Sequence, residues 1–329
     1  MTIRELAHRL NLSKTTVADA IRGNPVVREE TRLLVQAKAR EWGYAPNPVA
    51  SAFLQQIRSK GKSVRANLAF LDAWKDTSPL LVGAMNRAHN LGYNLDFVGQ
   101  KEYDSPTLTR ILKARGVLGL AISPLVRPVG HLTLEWSKFT SVAFGYSMAR
   151  PGMNRVVHNH FQGIRTLYRR CLRKGYRRIG LALQSDKSDL RSNGLWSAGY
   201  QAIQQQVPAA DRVKPFLVPE SAYNENAISR WIKKEKPEVV FFHTCAFIPK
   251  LSGIFKADGG SVVPVVLDRI PGDPCAGIDQ QHGRCGALMI DLLALQILHN
   301  ETGLPSHPSI TMVEGDFVDH PTFGNKADI

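Results

Sequence analysis

Lys14, Thr15, Thr16 and Asp19 fall within one short stretch, residues 12–23, that reads LSKTTVADAIRG. They offer an ammonium on a long flexible stem, and two hydroxyls and a carboxylate on short side chains. The apolar residues Val17, Ala20 and Ile21 recur at i, i+3 and i+4, the spacing of one buried helix face. A helix of about two turns then turns Lys14, Thr15, Ala18 and Asp19 outward. Such a polar face can read base edges in a DNA major groove. Asp19 cannot donate to guanine; it can accept from cytosine N4 or exclude other bases by repulsion.

A second set of candidates lies at the ends of apolar runs further along: Asp72, Trp74, Ser123, Tyr146, Arg191, Trp196, His243, Asp268 and Gln280. Aromatic faces suit the ring of a sugar, and carboxylates and amides suit its hydroxyls. Trp74, Tyr146, Trp196 and Asp268 have that chemistry. Taken singly, each is equally well a packing or loop-capping residue; together, at strand ends, they point to a small-molecule cleft. His158-Asn159-His160 and His243-Thr244-Cys245 have no third ligand at metal-site spacing, so no metal is expected. The chain has no GxxxxGK[ST] loop, no GxGxxG after a strand and no GxSxG elbow, so neither catalysis nor a cofactor is expected.

These residues need elements to hold them. Thr2-x-x-Glu5 is a capping box that opens a first helix with Leu6, Ala7 and Leu10 on its apolar face. Ser13 is a natural N-cap for the second helix, and Gly23 stops it. A third helix spans about residues 29–42, with Leu33, Leu34 and Ala37 expected inside, and acids Glu29 and Glu30 in its first turn. Helix, tight turn, helix and a bracing helix form the helix-turn-helix pattern, whose second helix enters the major groove.

Charge supports that reading. The formal net charge is +14, and residues 1–65 carry twelve Lys and Arg against five Asp and Glu. Half the excess therefore sits in about a fifth of the chain, as polyanion binding requires. Four cysteines without CxxC spacing suggest reduced thiols in a cytosol. No apolar signal region opens the chain, and no run reaches the roughly 20 apolar residues of a membrane helix. From about residue 64, apolar strand-like runs alternate with helical ones, which predicts parallel sheets covered on both faces. The count is too high for one sheet, so two doubly wound subdomains are expected, with ligand at the strand C-termini between them.

The stretch 2–53 resembles the headpiece of the LacI–GalR transcriptional regulators. The matching marks are Thr2-Ile3, Ser13-x-x-Thr16-Val17, Glu30-Thr31-Arg32 and Gly43-Tyr44-x-Pro46-Asn47. The resemblance implies that Lys14, Thr15 and Asp19 read bases and that Thr16 also belongs to the DNA-binding set. It also implies that Asn47, Ala50 and Phe53 belong to a hinge helix that folds when two chains lie side by side on DNA. Phe53 stands where the family usually has leucine, and would be the wedge in the minor groove. On residue chemistry alone, the same segment is a flexible basic linker.

More weakly, "KGYRRIGLAL" and "IDQQHGRCG" resemble the family's periplasmic-binding-protein-like core. Asn159 replaces the family's aspartate and Leu267 its glycine before Asp268. Trp196 falls where many members carry an effector-binding arginine, with Arg191 as a substitute one turn earlier.

The expected architecture is α + α/β. Residues 1–45 form the headpiece and 46–60 the hinge. Residues 61–329 form the core, divided as 61–153 plus 294–329, and 154–293. The expected function is a cytoplasmic, homodimeric, ligand-responsive transcriptional regulator, in its first sense a repressor. Its partners would be an operator in double-stranded DNA and a sugar or sugar derivative, with no membrane involved. The rivals are a sugar kinase fused to a DNA-binding headpiece and a secreted solute-binding protein.

Overall fold

The structure is a computed structural model that describes residues 3–21, 26–42, 66–73, 78–99, 103–251, 254–255 and 262–326. The expected hinge, with Asn47, Ala50 and Phe53, lies outside the described residues, as does Trp74.

Three helices open the chain: α1 (Ile3–Arg9), α2 (Lys14–Ile21) and α3 (Glu29–Glu41). The Ser13 hydroxyl accepts from the Thr16 backbone N–H at 3.0 Å and caps α2 as its position requires. Leu6, Ala7, Val17, Ala20, Val35 and Ala39 form the small core. The Gln36 amide donates to the Ala20 carbonyl at 3.0 Å and ties α3 to the end of α2. One expectation is corrected here. Leu33 and Leu34 are 58% and 51% exposed, and Ala37 is exposed too. The inner face of α3 runs through Val35 and Ala39, four residues apart, so the apolar pair before them points away from α1 and α2.

The core builds two six-stranded sheets. The first has strands β1 (Asn67–Asp72), β2 (Asn94–Gly99), β3 (Val117–Ile122), β5 (Thr140–Phe144), β7 (Arg155–His158) and β13 (Ile310–Val313), in the order β13-β7-β5-β3-β1-β2. The second has β8 (Ile179–Gln184), β9 (Phe216–Val218), β10 (Val239–Phe242), β11 (Val263–Val266), β12 (Ala276–Asp279) and β14 (Asp316–Val318), in the order β14-β12-β11-β10-β8-β9. All pairings in these sheets are parallel except β12 with β14. A small parallel pair, β4 (Gly130–His131) and β6 (Met148–Arg150), flanks the first sheet.

Helices α4 (Pro79–Leu91), α5 (Ser105–Ala114), α6 (His160–Arg173), α7 (Leu195–Gln204), α8 (Glu225–Glu235) and α9 (His282–Leu298) provide the crossovers. Their ends follow local chemistry. Ser78 caps α4 with Pro79 behind it, and Gly92 closes it in the left-handed region at φ 78°. Asp104 caps α5, its carboxylate accepting from the Thr107 backbone N–H at 2.9 Å.

The expected subdomain division moves. Strand β7 pairs in the first sheet, although residue 154 was expected to open the second subdomain. Helix α9 packs on α4 against the first sheet, with Cys285, Met289, Ile290 and Leu293 in its core. Strand β14 closes the second sheet. The chain therefore crosses between subdomains at residues 159, 280–281 and 314–315. Asn159 braces the first and third crossings: its side chain caps α6 and donates to Glu314 Oε1 at 2.8 Å.

The α4–α9 contact depends on glycine. A Cβ on Gly286 would overlap the Leu80 carbonyl, and one on Gly83 the Gly283 carbonyl. Backbone cannot yield as a side-chain tip can, so Gly286→Ala is expected to cost at least about 1–3 kcal/mol. Urea unfolding of the variant should show the lower midpoint.

Candidate functional site

A cavity of about 340 Å³ opens between the two sheets at their strand C-termini. Phe144 and His158 end β5 and β7 on one side. Gln184 ends β8 on the other side, His243 follows β10, and Asp268 stands two residues beyond β11. His282 is the first residue of α9, so it belongs to the first subdomain and meets Asp268 of the second. The Asp268 Oδ1 to His282 Nε2 distance is 2.9 Å, and Asp268 Oδ2 lies 3.9 Å from His243 Nε2.

Burial opposes a charge on Asp268. The hydrogen bond from His282 and the positive potential of His282, His243 and His158 outweigh that and hold the carboxyl well below the usual range. Burial alone would lower His282, but its bond to Asp268 and the carboxylate charge raise it. The other three imidazoles go down. Burial lowers His158 well below its ordinary value, with His282 and His160 adding to the effect. Burial brings His160 to about 4 against the pull of Asp268, and it also dominates at His243.

The rings form a ribbon along the cavity wall. Phe144 meets His158 at 5.1 Å between centroids, His158 meets His160 at 5.5 Å, His160 meets Trp196 at 4.5 Å and Trp196 meets His243 at 5.2 Å. Three ring nitrogens in this ribbon, His158 Nε2, His160 Nδ1 and Trp196 Nε1, are buried without a hydrogen-bond partner among the described residues. A buried polar atom left unpaired costs about 1–3 kcal/mol, so this wall is built for a polar guest.

Of the residues expected from the sequence, Tyr146, Arg191, Trp196, His243 and Asp268 do line the cavity. Arg191 also bridges the subdomains, its guanidinium donating to the Leu125 and Val126 carbonyls beyond β3. Burial raises the Tyr146 phenol despite the nearby Arg155. Three expected residues do not line the cavity. Ser123 donates to Asp72 Oδ1 at 2.6 Å, so this pair fastens the ends of β1 and β3. Gln280 is 2% exposed and donates to the Leu267 carbonyl, which positions the Asp268 loop.

The sequence reading missed His160, His158 and His282, together with Gln184, Lys187, Ser188 and Ser192. The pattern His158-x-His160 carries the signal: two imidazoles flanking Asn159, where the chain crosses between the subdomains. Among the described residues, no three His, Cys, Asp or Glu side chains are grouped to hold a metal ion.

These shifts set a pH dependence. A histidine lowered by folding takes up its proton more readily when unfolded, so stability falls as pH drops below 6.5 towards the folded value. For His160 this amounts to about 2 kcal/mol at pH 5. His282, raised by folding, acts oppositely: its contribution is complete below 6.5 and is lost as pH rises through its higher folded value. Thermal unfolding across pH should therefore peak near 6.5, and His160→Gln should flatten the acid limb.

In the headpiece, Lys14, Thr15, Thr16 and Asp19 all lie on α2. The Thr16 hydroxyl is 2.8 Å from that of Ser13 and so is part of the cap, and Asp19 is half-buried.

Residues 2–47 match the family described as bacterial regulatory proteins, lacI family. The HTH-type transcriptional repressor PurR of Escherichia coli O1:K1 / APEC is 26% identical over 238 residues, which span 68% of this chain and 66% of that protein. PurR of Shigella boydii serotype 18 gives the same figures. The transcriptional regulator CelR–cellobiose complex has a TM-score of 0.57 at 16% identity over 97% of this chain and 98% of its own. The lac repressor dimer bound to operator and the anti-inducer ONPF has a TM-score of 0.55 at 18% identity over 98% and 99%. CCPA from Weissella paramesenteroides with bound glucose has a TM-score of 0.56 at 11% identity over 79% and 99%. These structures share the fold of the core. The chain thus has a lacI-type headpiece, by residues 2–47, joined to a core that is similar to PurR in sequence and to these regulators in fold.

Proposed function

We propose that this protein is a ligand-responsive, sequence-specific DNA-binding transcriptional regulator, a repressor acting as a homodimer. One observation carries the reading. A capped helix-turn-helix precedes a two-subdomain core, and the cavity between its sheets holds a half-buried carboxylate and three buried ring nitrogens without a hydrogen-bond partner among the described residues. The relatives are transcriptional repressors, which supports the reading of a sensor. Among the described residues no helix is long and apolar enough to cross a membrane, in keeping with work in the cytoplasm.

The effector is a sugar or sugar derivative. Phe144, Tyr146 and Trp196 offer apolar ring faces, and Asp268 with the imidazoles offers acceptors and donors for hydroxyls. The cellobiose and glucose held by two of the structural neighbours are in keeping with that choice. The cavity draws its wall from both subdomains, so a guest there favours one angle between them. The Asp268–His282 pair and the Arg191 bridge are the contacts that change with that angle. Transmitted through residues 46–60, the angle sets whether two headpieces fit two half-sites. A thermal-shift screen of carbohydrates should find a stabilising ligand, because binding the native state raises its stability. A screen in which no carbohydrate stabilises the protein counts against the sugar assignment.

Asp19 sets base choice and contributes nothing to phosphate attraction. Asp19→Ala should relax preference at one symmetric pair of operator positions while changing total affinity little, as binding-site selection would show. An unchanged selected motif would remove Asp19 from the reading face.

A further inference from the structure

Cys245 and Cys275 come from different loops at one end of the second sheet. Cys245 opens the 3-10 turn Cys245–Leu251 after β10, and Cys275 immediately precedes β12. Their Sγ atoms lie 2.6 Å apart. Cys275 is fully buried and Cys245 partly exposed, so one member of the pair faces solvent. The other two cysteines, Cys171 and Cys285, are buried in separate cores on α6 and α9. The two loops that meet at the sulfurs also supply the cavity. His243 stands two residues before Cys245. Asp268 leads the loop that ends at Cys275, and the Arg269 guanidinium, next to Asp268, donates to the Cys275 carbonyl at 3.0 Å.

We propose that Cys245 and Cys275 are a redox-active pair that forms a reversible disulfide, tying together the loops that present His243 and Asp268 to the cavity. The oxidant is a small disulfide such as oxidised glutathione. The Cys245 thiolate attacks one of its sulfurs, the S–S bond breaks, and one glutathione leaves and takes a proton. The Cys275 thiolate then attacks the Cys245 sulfur of the mixed disulfide and expels the second glutathione, which also takes a proton. Two protein thiols lose two electrons, and the small disulfide gains them. The contact with Cys275, burial and the nearby Asp273 all push the Cys245 thiol up. The exchange is therefore slow at neutral pH and faster above it. Cytosolic disulfides are characteristically of this transient, sensing kind.

The test uses the full chain equilibrated with oxidised glutathione at pH 8, followed by a thiol count after denaturation, intact mass and thermal unfolding. The four thiols should fall to two and the mass by about 2 Da, with Cys245 joined to Cys275 in the peptide map. The melting temperature should rise by roughly 5–10 °C, because the bridge closes a loop of about thirty residues. Dithiothreitol should reverse every change. Cys245→Ser, a change at a partly exposed position, should stay folded and show neither the bridge nor the shift. Retention of four thiols overturns the proposal. So does a glutathione adduct on Cys245 that never resolves, or a bridge through Cys171 or Cys285.

Discussion

A chain that begins near residue 61 is expected to stay folded and to lose operator binding by at least about 10³-fold, the usual gap between specific and non-specific affinity. The reason is where the charge and the reading helix sit. Twelve basic and five acidic residues occupy positions 1–65, and α2 lies among them. The two sheets keep their own cores, which share no residue with the small cluster around Leu6 and Val17. Fluorescence anisotropy on a labelled operator checks the loss, and circular dichroism checks the fold. The intact protein should show a steep linear fall of log affinity with log salt, from release of phosphate counterions. A shortened core that binds as tightly as the whole chain would place the DNA surface elsewhere.

Asp268→Asn is expected to weaken effector binding by about 10–100-fold, since a hydrogen bond to a charged group contributes about 1.5–3 kcal/mol and each 1.4 kcal/mol is tenfold. The amide keeps the shape of the carboxylate but removes the charge that His282 and His243 face. Titration calorimetry with a ligand from the thermal-shift screen measures the change. The same variant should lower the folded pKa of His282, which nuclear magnetic resonance of the imidazole would report. Unchanged affinity would mean that the pair holds the subdomains together without touching the effector.

Much of this organisation is written locally. The caps at Ser13 and Ser78 and the stop at Gly92 are single-residue signals, and the helices begin and end where those signals stand. The four-residue strands β7 and β12 are too short to announce themselves by pattern, and they carry the chain between subdomains. Missing them misplaced the subdomain division. It also hid His158, which ends β7, and His160, which opens α6 just beyond the first crossing. Leu33 and Leu34 show the complementary limit: apolar identity does not tell which side of α3 faces the core, and Val35 with Ala39 takes it. Tyr146, His243 and Asp268 were legible because ligand sites of such sheets form just beyond strand ends, whereas Arg191 and Trp196 lie well past β8, before and at the start of α7, and were legible only through the family resemblance. Asp72, Ser123 and Gln280 satisfy the same rule but turn to neighbouring strands and loops, a choice that only tertiary geometry decides.

The central claim is a coupling between cavity and operator. The direct measurement is operator affinity with and without a cavity ligand, on the wild type and on Asp268→Asn. An allosteric coupling of 1–3 kcal/mol corresponds to a shift of about 5–150-fold. The account predicts a shift of that size in the wild type and its loss at the same ligand concentration in the variant. A ligand that stabilises the protein through Asp268 yet leaves operator affinity unchanged would contradict it.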